Sequence, residues 1–516
     1  MQTEILPIQQ RLDELLHQLT KGIQERDQIM AVSLLAAISG QNTFLFGPPG
    51  TAKSLISRRV ACAFEQNNYF EYLMNRFSTP EDVFGPVSIK ALKEDQYIRK
   101  IQGYLPCADF AFLDEIWKSS PAILNNLLTI INEHLFKNGT ENIPVPLKSL
   151  IAASNEIPQE NQGLEALYDR FIVRLVVPPI QQKNNFNKLL TGLPSSDKPD
   201  ISTYLKLRYD EVSQWRSEIL QVKLTTESLA VIHDIREKLA ERFDELGVYV
   251  SDRRWQRAVQ LVKASAFCNG RQSVNLSDLM LLKYCLWTTP ENQPLVAEVV
   301  MKSIQDIGLN MPINFVEIDL QKDKLQKEIN NKLYYTEDEY RSVTIGKGRK
   351  RYFELSINKY VNGKLEKQNY YIPVKRPENM KSFLPFDFNG ESINSLICQE
   401  TGDNQFMTRV LPSYLTHYKE PESIYEPEIL FKKGEKRQDV EQKVLNTIYH
   451  AISDNSRQLT LRLNALENKF DLYKKQAASL FVELTDIDFV VECINEQIKQ
   501  LKNRISDFNY LVSLCY

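Results

Sequence analysis

The 516 residues are too many for one hydrophobic core and imply several domains. With 43% hydrophobic residues, 25% charged residues and a formal net charge of −3, the composition is that of an ordinary globular protein. That balance excludes a chain drawn to nucleic acid or anionic lipid by its overall charge, and no apolar run approaches the roughly 18 residues of a transmembrane helix. The N-terminal MQTEILPIQQRLDELLHQL carries acids and amphipathic spacing instead of the basic and apolar blocks of a signal peptide. Seven scattered cysteines without a C-x-x-C pair fit a reduced compartment, so a cytoplasmic protein is expected. The five histidines are equally dispersed, and no zinc site is expected.

In chain order, residues 1–40 read as two helices. Ile5, Leu12, Leu15, Leu16 and Leu19 share one face of the first, and the second, Ile29 to Ile38, is apolar nearly all round. From Asn42 short apolar runs alternate with helical patterns, the signature of a parallel sheet with crossover helices. The runs are Thr43–Phe46, Tyr69–Met74, Phe110–Leu113, Leu150–Ser154 and Phe171–Val177. The polar, Pro-containing stretch Thr191–Thr203 reads as a linker. Helices without strands follow to about residue 306, with Asn275-Leu-Ser-Asp278 predicted to cap the run Leu279–Trp287. Residues 317–333 place Ile318, Leu325, Ile329 and Leu333 on one helix face. About 100 β-rich residues come next, including two strand-like runs around Asn362-Gly363, a pair suited to a two-residue hairpin turn. From Arg437 the chain is helical again: Leu459, Leu463, Leu466, Phe470 and Tyr473, then Ile487, Val491, Ile494, Ile498, Leu501, Ile505 and Phe508, step as heptads. With the helix at 317–333 they form a bundle into which the β-rich module is inserted.

Three motifs carry chemistry. Gly47-Pro48-Pro49-Gly50-Thr51-Ala52-Lys53-Ser54 follows a strand and opens a helix, so its backbone amides and the helix N-terminus are suited to surround a phosphate. Lys53 is placed to reach the β- and γ-phosphates of ATP and the Ser54 hydroxyl to hold Mg²⁺. Ala52 stands where the general pattern has Gly. Phe110-Ala-Phe-Leu-Asp114-Glu115 is an apolar strand ending in two carboxylates: the first suits the Mg²⁺ shell, the second the orientation and deprotonation of an attacking water. Leu150-Ile-Ala-Ala-Ser-Asn155 ends in an amide placed to hold that water or sense the γ-phosphate.

These residues, with Phe77-Ser-Thr-Pro-Glu-Asp-Val-Phe-Gly-Pro86, Phe112-Leu-Asp-Glu-Ile-Trp-Lys118, Ala153-Ser-Asn-Glu156, Leu164-Glu-Ala-Leu-Tyr-Asp-Arg-Phe171 and Val250-Ser-Asp-Arg-Arg-Trp255, resemble the MoxR group of AAA+ ATPases and within it the regulatory ATPase variant A (RavA) subfamily. The resemblance is close over residues 1 to about 306. It implies an α/β P-loop NTPase of the AAA+ αβα kind with an all-α lid, followed by a helical bundle carrying an inserted β-rich module. The domain limits are then 1–190 for the nucleotide core, 204–306 for the lid, 307–333 with 437–516 for the bundle and 334–436 for the insert. Arg170 falls at the family's arginine finger, which completes a neighbouring subunit's site, with Arg174 a second candidate. Arg253 falls at the sensor-2 arginine of the lid, with Arg254 adjacent. The resemblance implies a homo-hexamer and a chaperone-like remodeller working with a von Willebrand factor A-domain protein of the ViaA type. It also implies links to respiratory-chain complexes at the membrane and, in some relatives, to inducible lysine decarboxylase. Residues Ile23 to Arg26 are a positional guess for the adenine contact.

The insert stands apart in charge. Arg341 to Arg376 holds ten Lys/Arg against Glu354 and Glu366, a net +8, with Tyr352, Phe353, Tyr360, Tyr370 and Tyr371 interleaved. Such a pattern suits nucleic acid, lipid headgroups or an acidic protein. It equally suits a solvated hairpin whose alternate residues Phe353, Leu355 and Ile357 face their own core, and that reading or protein binding is preferred. A nucleic-acid motor and an ATP-gated scaffold are the competing functions.

Overall fold

The computed structural model describes residues 7–65, 68–158, 164–192, 195–309, 314–346, 350–361, 364–376, 382–402, 404–411, 423–476 and 479–516. Its centre is a sheet of β1 (Asn42–Phe46), β2 (Tyr69–Leu73), β3 (Phe110–Asp114), β4 (Ser149–Ser154) and β5 (Phe171–Val176), in the order β2-β3-β4-β1-β5. All four pairings are parallel. The uninterrupted apolar runs follow from that topology: crossover helices cover both faces, so every residue of β4 is buried. The register brings the carboxyl ends together, with Phe46 beside Ser154 and Asp114 beside Ala153.

Around the sheet pack α1 (Ile8–Thr20), α2 (Asp27–Ser39), α3 (Lys53–Cys62) and α4 (Pro121–Glu133). Leu12, Leu15, Leu16 and Leu19 of α1 are buried as their spacing predicts, and α2 is buried on nearly every side before Gly40 ends it in the left-handed conformation. The stretch read as a linker, described here over residues 195–203, is pinned to this core. Arg59 donates to Ser196 O at 2.7 Å, Arg58 pairs with Asp197 at 2.5 Å, and Ile201 is buried. Its polar composition signalled solvent exposure, but two arginines of α3 supply the partners that hold it down.

The helical region that follows comprises α5 (Tyr209–Gln221), α6 (Thr226–Glu241), α7 (Asp252–Cys268) and α8 (Gln293–Ser303). Asn275 caps as predicted, accepting from Asp278 N at 3.1 Å, yet the run beyond it continues as a 3-10 helix, Met280–Tyr284. Leu279, Met280, Leu281 and Leu282 are all enclosed there. Residues 464–499 pack in this same compact unit. There the turn of the helical tail is held by Lys283–Asp486 at 2.6 Å, Tyr284 Oη to Glu483 at 3.0 Å and Gln28 Nε2 to Phe481 O at 2.6 Å.

The second compact unit comprises residues 314–463 and 500–516. It starts with α9 (Phe315–Leu333), which buries Ile318, Leu325, Ile329 and Leu333 and binds Arg504 through Asp319 at 2.8 Å. The chain leaves α9 for the β-rich module and returns beside its point of exit, where Arg437 N donates to Leu333 O at 2.8 Å. The module contains β6 (Arg351–Val361) and β7 (Lys364–Pro373), an antiparallel pair, and β8 (Leu396–Gly402) and β9 (Gln405–Val410), another. Val361 pairs with Lys364, the register a two-residue turn needs; Asn362 and Gly363 themselves lie outside the described residues. Two long helices, α10 (Gln442–Gln476) and α11 (Leu484–Cys515), complete the chain. Their heptad positions Leu459, Leu463, Leu466, Ile494, Leu501 and Phe508 are buried.

Tyr352, Phe353, Tyr370 and Tyr371 of β6 and β7 do not form a stacking surface; the side chain of Tyr360 lies outside the described residues. Phe353, Leu355 and Tyr370 enter one core with Ile372, Leu396, Cys398 and Phe406, while Tyr352 and Tyr371 enter a smaller one with Ile345. Arg376 is bound to Glu400 at 3.0 Å and lies over the Phe406 ring at 4.5 Å. Lys347 and Arg349 lie outside the described residues. Among the described residues no helix is long and apolar enough to cross a membrane.

Candidate functional site

The loop between β1 and α3 is built into the sheet at its start. Gly47 N donates to Ser154 O at 3.1 Å, and a Cβ at Gly47 would stand 2.3 Å from Val177 O, so the residue must be Gly. Ala52 takes φ +68° immediately before α3, a left-handed conformation that costs a side-chain-bearing residue about 1–2 kcal/mol. That is the structural consequence of Ala standing where Gly is usual. Lys53 is buried and its Nζ donates to Gly47 O and Pro48 O, both at 2.8 Å. Burial pushes its pKa below the ordinary value while Asp114 and Glu115 pull it back up, which sets both carboxylates in its field. Ser54, half-buried, sits one residue further in the first turn of α3, whose amides favour an anion.

The two acids end β3 next door but one. Asp114 is half-buried, accepts from Glu115 N at 3.0 Å through Oδ1, and is pushed up in pKa by desolvation. Its Oδ2 has no hydrogen-bond partner among the described residues. Glu115 adopts φ +52°, so the chain turns sharply at the strand end. Two groups grip that carboxylate at Oε2: Lys118 Nζ at 3.1 Å and Ser154 Oγ at 3.3 Å. Asn155, exposed, follows Ser154 at the end of β4, between β3 and β1 in the sheet. The loop, the acids and the amide thus lie along one carboxyl edge, where open parallel sheets bind ligands.

Ile23 to Arg26 flank this edge. Arg26 is buried and donates to Thr51 O at 3.3 Å and to Pro178 O at 2.6 Å; Glu25 accepts from the amides of Gln181 at 2.7 Å and Gln182 at 2.9 Å. This short connection therefore clamps the phosphate loop to the segment leaving β5.

The arginines divide differently. Arg170 immediately precedes β5, whose Phe171 pairs with Asn42, the first residue of β1. It lies at the amino edge, about 17 Å along the strand from the loop, since the five residues from Asn42 to Gly47 rise about 3.3 Å each. Its guanidinium donates to Asn132 and to the Ala166 carbonyl. Burial, then the nearby positive charge of Arg253, push its pKa down. Arg253 is exposed in the first turn of α7, and Ser251 at the cap of that helix donates to Asp169 at 2.8 Å, which brings the two arginines to one place. Arg174 and Arg254 are interior. Arg174 donates to Trp287 O at 2.6 Å, Tyr168 O at 2.9 Å and Phe171 O at 3.1 Å, and its pKa is pushed down to about 9 by burial. Arg254 donates to Cys285 O and Trp287 O, both at 2.6 Å.

Sequence reasoning missed Lys118 and Ser154. The three-residue spacing of Glu115 and Lys118 was a usable signal, whereas Ser154 reaches Glu115 only through the pairing of β3 with β4. Among the described residues no cluster of three or more His, Cys, Asp or Glu is arranged to hold a metal alone.

With this geometry in view the comparisons are specific. The profile described as the MoxR domain of MoxR-vWA-beta-propeller ternary systems matches residues 10–217, and an AAA lid domain profile matches residues 227–300. An uncharacterised protein of Methanocaldococcus jannaschii is 34% identical over 349 residues, spanning 67% of this chain and 86% of the relative. A second from the same organism is 37% identical over 292 residues, spanning 56% and 75%. The chaperone MoxR1 of Mycobacterium tuberculosis is 24% identical over 212 residues, spanning 39% and 54%. The carboxyl-edge loop and acids, the five-stranded parallel sheet and the helical region behind it are thus those of a known group, and the chain belongs to the MoxR group of AAA+ ATPases.

Proposed function

We propose that this protein hydrolyses ATP as a ring of copies, a hexamer, and uses the cycle to remodel protein partners in the cytoplasm. One observation carries the reading: Lys53, Asp114, Glu115 and Asn155 share the carboxyl edge of the sheet, while the accessible arginines Arg170 and Arg253 share the opposite edge. A finger at the amino edge serves a phosphate on a neighbouring copy, not on its own. Arg170 is preferred over Arg174, and Arg253 over Arg254, because the interior pair have their donors committed to backbone carbonyls.

The chemistry follows from the residues. Residues 47–54 bind the triphosphate, with Lys53 leaving the carbonyls of Gly47 and Pro48 for the β- and γ-phosphate oxygens. Asn155 orients the attacking water and Glu115 takes its proton as the oxygen attacks the γ-phosphorus. The bond to the bridging oxygen breaks and ADP leaves, with Lys53 and the neighbour's Arg170 and Arg253 stabilising the charge in transit. Mg²⁺ suits the donor set, one hydroxyl at Ser54 and one carboxylate with an uncommitted oxygen at Asp114, since this ion is held by one or two carboxylates, phosphates and water. When bound it neutralises phosphate charge.

The matched family is described from MoxR-vWA-beta-propeller systems, which supports a von Willebrand factor A-domain protein as the working partner, and the chaperone named among the relatives supports a remodelling role. The order of a β-rich insert within a C-terminal helical bundle supports the RavA subfamily. Nucleic acid is disfavoured because Tyr352, Phe353, Tyr370 and Tyr371 are core residues. The test is phosphate release against protein concentration. Turnover per chain is expected to rise cooperatively and to vanish in Lys53→Ala; concentration-independent turnover rejects the ring.

A further inference from the structure

Glu115 is the one residue of the carboxyl edge gripped by two side chains at the same atom. Lys118 Nζ stands 3.1 Å and Ser154 Oγ 3.3 Å from Oε2, whereas Oε1 has no hydrogen-bond partner among the described residues. Neither contact is casual. Ser154 is buried at the last position of β4, and its Oγ also accepts from Glu156 N at 3.1 Å, which turns the hydroxyl proton toward Glu115. Lys118 closes the single 3-10 turn Ile116–Lys118, whose amide donates to Glu115 O at 2.9 Å, so its side chain starts from a fixed point. That turn is anchored by buried Ile116 and by Trp117, which packs edge-on to Tyr168 at 5.7 Å.

We propose that Lys118 and Ser154 are positioning residues for the general base. Resting on the reading of Glu115 given above, they fix Oε2 so that Oε1 alone is presented to the attacking water. A carboxylate on a left-handed residue at a strand end has rotamer freedom that this task cannot tolerate, because a misplacement of about 1 Å can cost about 100-fold in rate. Lys118 supplies a charge-assisted contact that is partly solvated, Ser154 a shorter-reaching one that is buried. The water loses its proton to Oε1 with no proton passing through Lys118 or Ser154; the pair act on geometry only.

The experiment is a double-mutant comparison on the full chain, measuring kcat, KM and binding of a fluorescent ATP analogue. Lys118→Met is expected to lower kcat by about 10- to 100-fold with analogue affinity and KM unchanged, Ser154→Ala by a smaller factor, and Lys118→Arg to keep most of the rate. In a Glu115→Gln background, Lys118→Met is expected to add nothing, since the residues act as a unit. An equal loss in the Glu115→Gln background, a loss confined to KM, or a rise in kcat overturns the positioning role. Full turnover in Glu115→Gln alone overturns the reading of Glu115 and the positioning with it, so the two failures are told apart. Analogue binding by each variant verifies that it has folded.

Discussion

At the carboxyl edge of the sheet three neighbouring strands deliver a lysine, two carboxylates and an amide, and opposite charges moderate one another: Asp114 and Glu115 hold the Lys53 pKa up against burial. At the amino edge Arg170 and Arg253 meet as like charges, and the charge of Arg253 adds to the cost that burial places on Arg170. The first edge is electrostatically nearly complete on its own; the second is poised for an anion that its own chain does not bring. On the proposed reading that difference is a division of one site between two copies: the groups that bind and activate sit with the phosphate, and the groups that stabilise charge in transit come from the neighbour.

The comparison breaks most readily at Arg170. Arg170→Ala is expected to lower turnover by about 10³–10⁵-fold, the range of an arginine finger. Mixing it with Lys53→Ala chains should recover part of the rate, because some interfaces then pair an intact loop with an intact arginine. Mixed rings without recovery would show that the two edges do not serve one site.

A stability contrast sharpens the division between the arginines. Arg174→Met leaves the carbonyl of Tyr168 without its donor, while Trp287 O keeps Arg254, so at about 1–3 kcal/mol for one buried group a loss of about 2 kcal/mol is expected in urea unfolding. Arg253→Met, at an exposed position, should stay within about 0.5 kcal/mol while turnover falls. Equal destabilisation by both would erase the distinction.

Lys53 offers a pH test. Its pKa lies below the ordinary lysine value because burial disfavours the charged form. Protonated Lys53 binds the anion, so ATP affinity should fall as pH rises through that lowered pKa, with proton uptake on binding detectable by calorimetry in buffers of different ionisation heat. Lys53→Arg should flatten the fall. The smallest effect is expected at Ala52: Ala52→Gly relieves about 1–2 kcal/mol of left-handed strain against about 0.5–1 kcal/mol of added backbone entropy, a net gain near 0.5–1 kcal/mol visible as a slightly higher unfolding midpoint. A lower midpoint would mean that Ala52 contributes packing beyond its backbone.

The strands and the phosphate loop were legible because each is written locally: an apolar run of five or six residues, then a turn whose composition is tied to its backbone. The first helix and the heptads of the tail were legible because burial there follows a simple period, and the second helix from the length of its apolar, Ala-rich run. The winding of Met280–Tyr284 was not, because a segment enclosed on all sides leaves no stripe to read. How the linker stretch is held was not legible, since its fixation depends on Arg58 and Arg59, more than 130 residues earlier in the chain. For β6 the alternation of Phe353, Leu355 and Ile357 marked an inward face, as preferred from the sequence, but alternation tells which residues share a face and not which strand pair covers it.

What the sequence alone determined is the chemistry available at each strand end: Lys53 after a Gly-rich turn, Asp114 and Glu115 after an apolar run, Asn155 after another. Backbone amides, a helix start and short-range residue order suffice for that. Only the tertiary structure decided which arginines are reachable, that Arg170 and Arg253 come together across 83 residues, and that Ser154 and Lys118 share one oxygen of Glu115. Strand order, register and burial set those distances, and they arise from packing between segments remote in sequence, which no local pattern encodes.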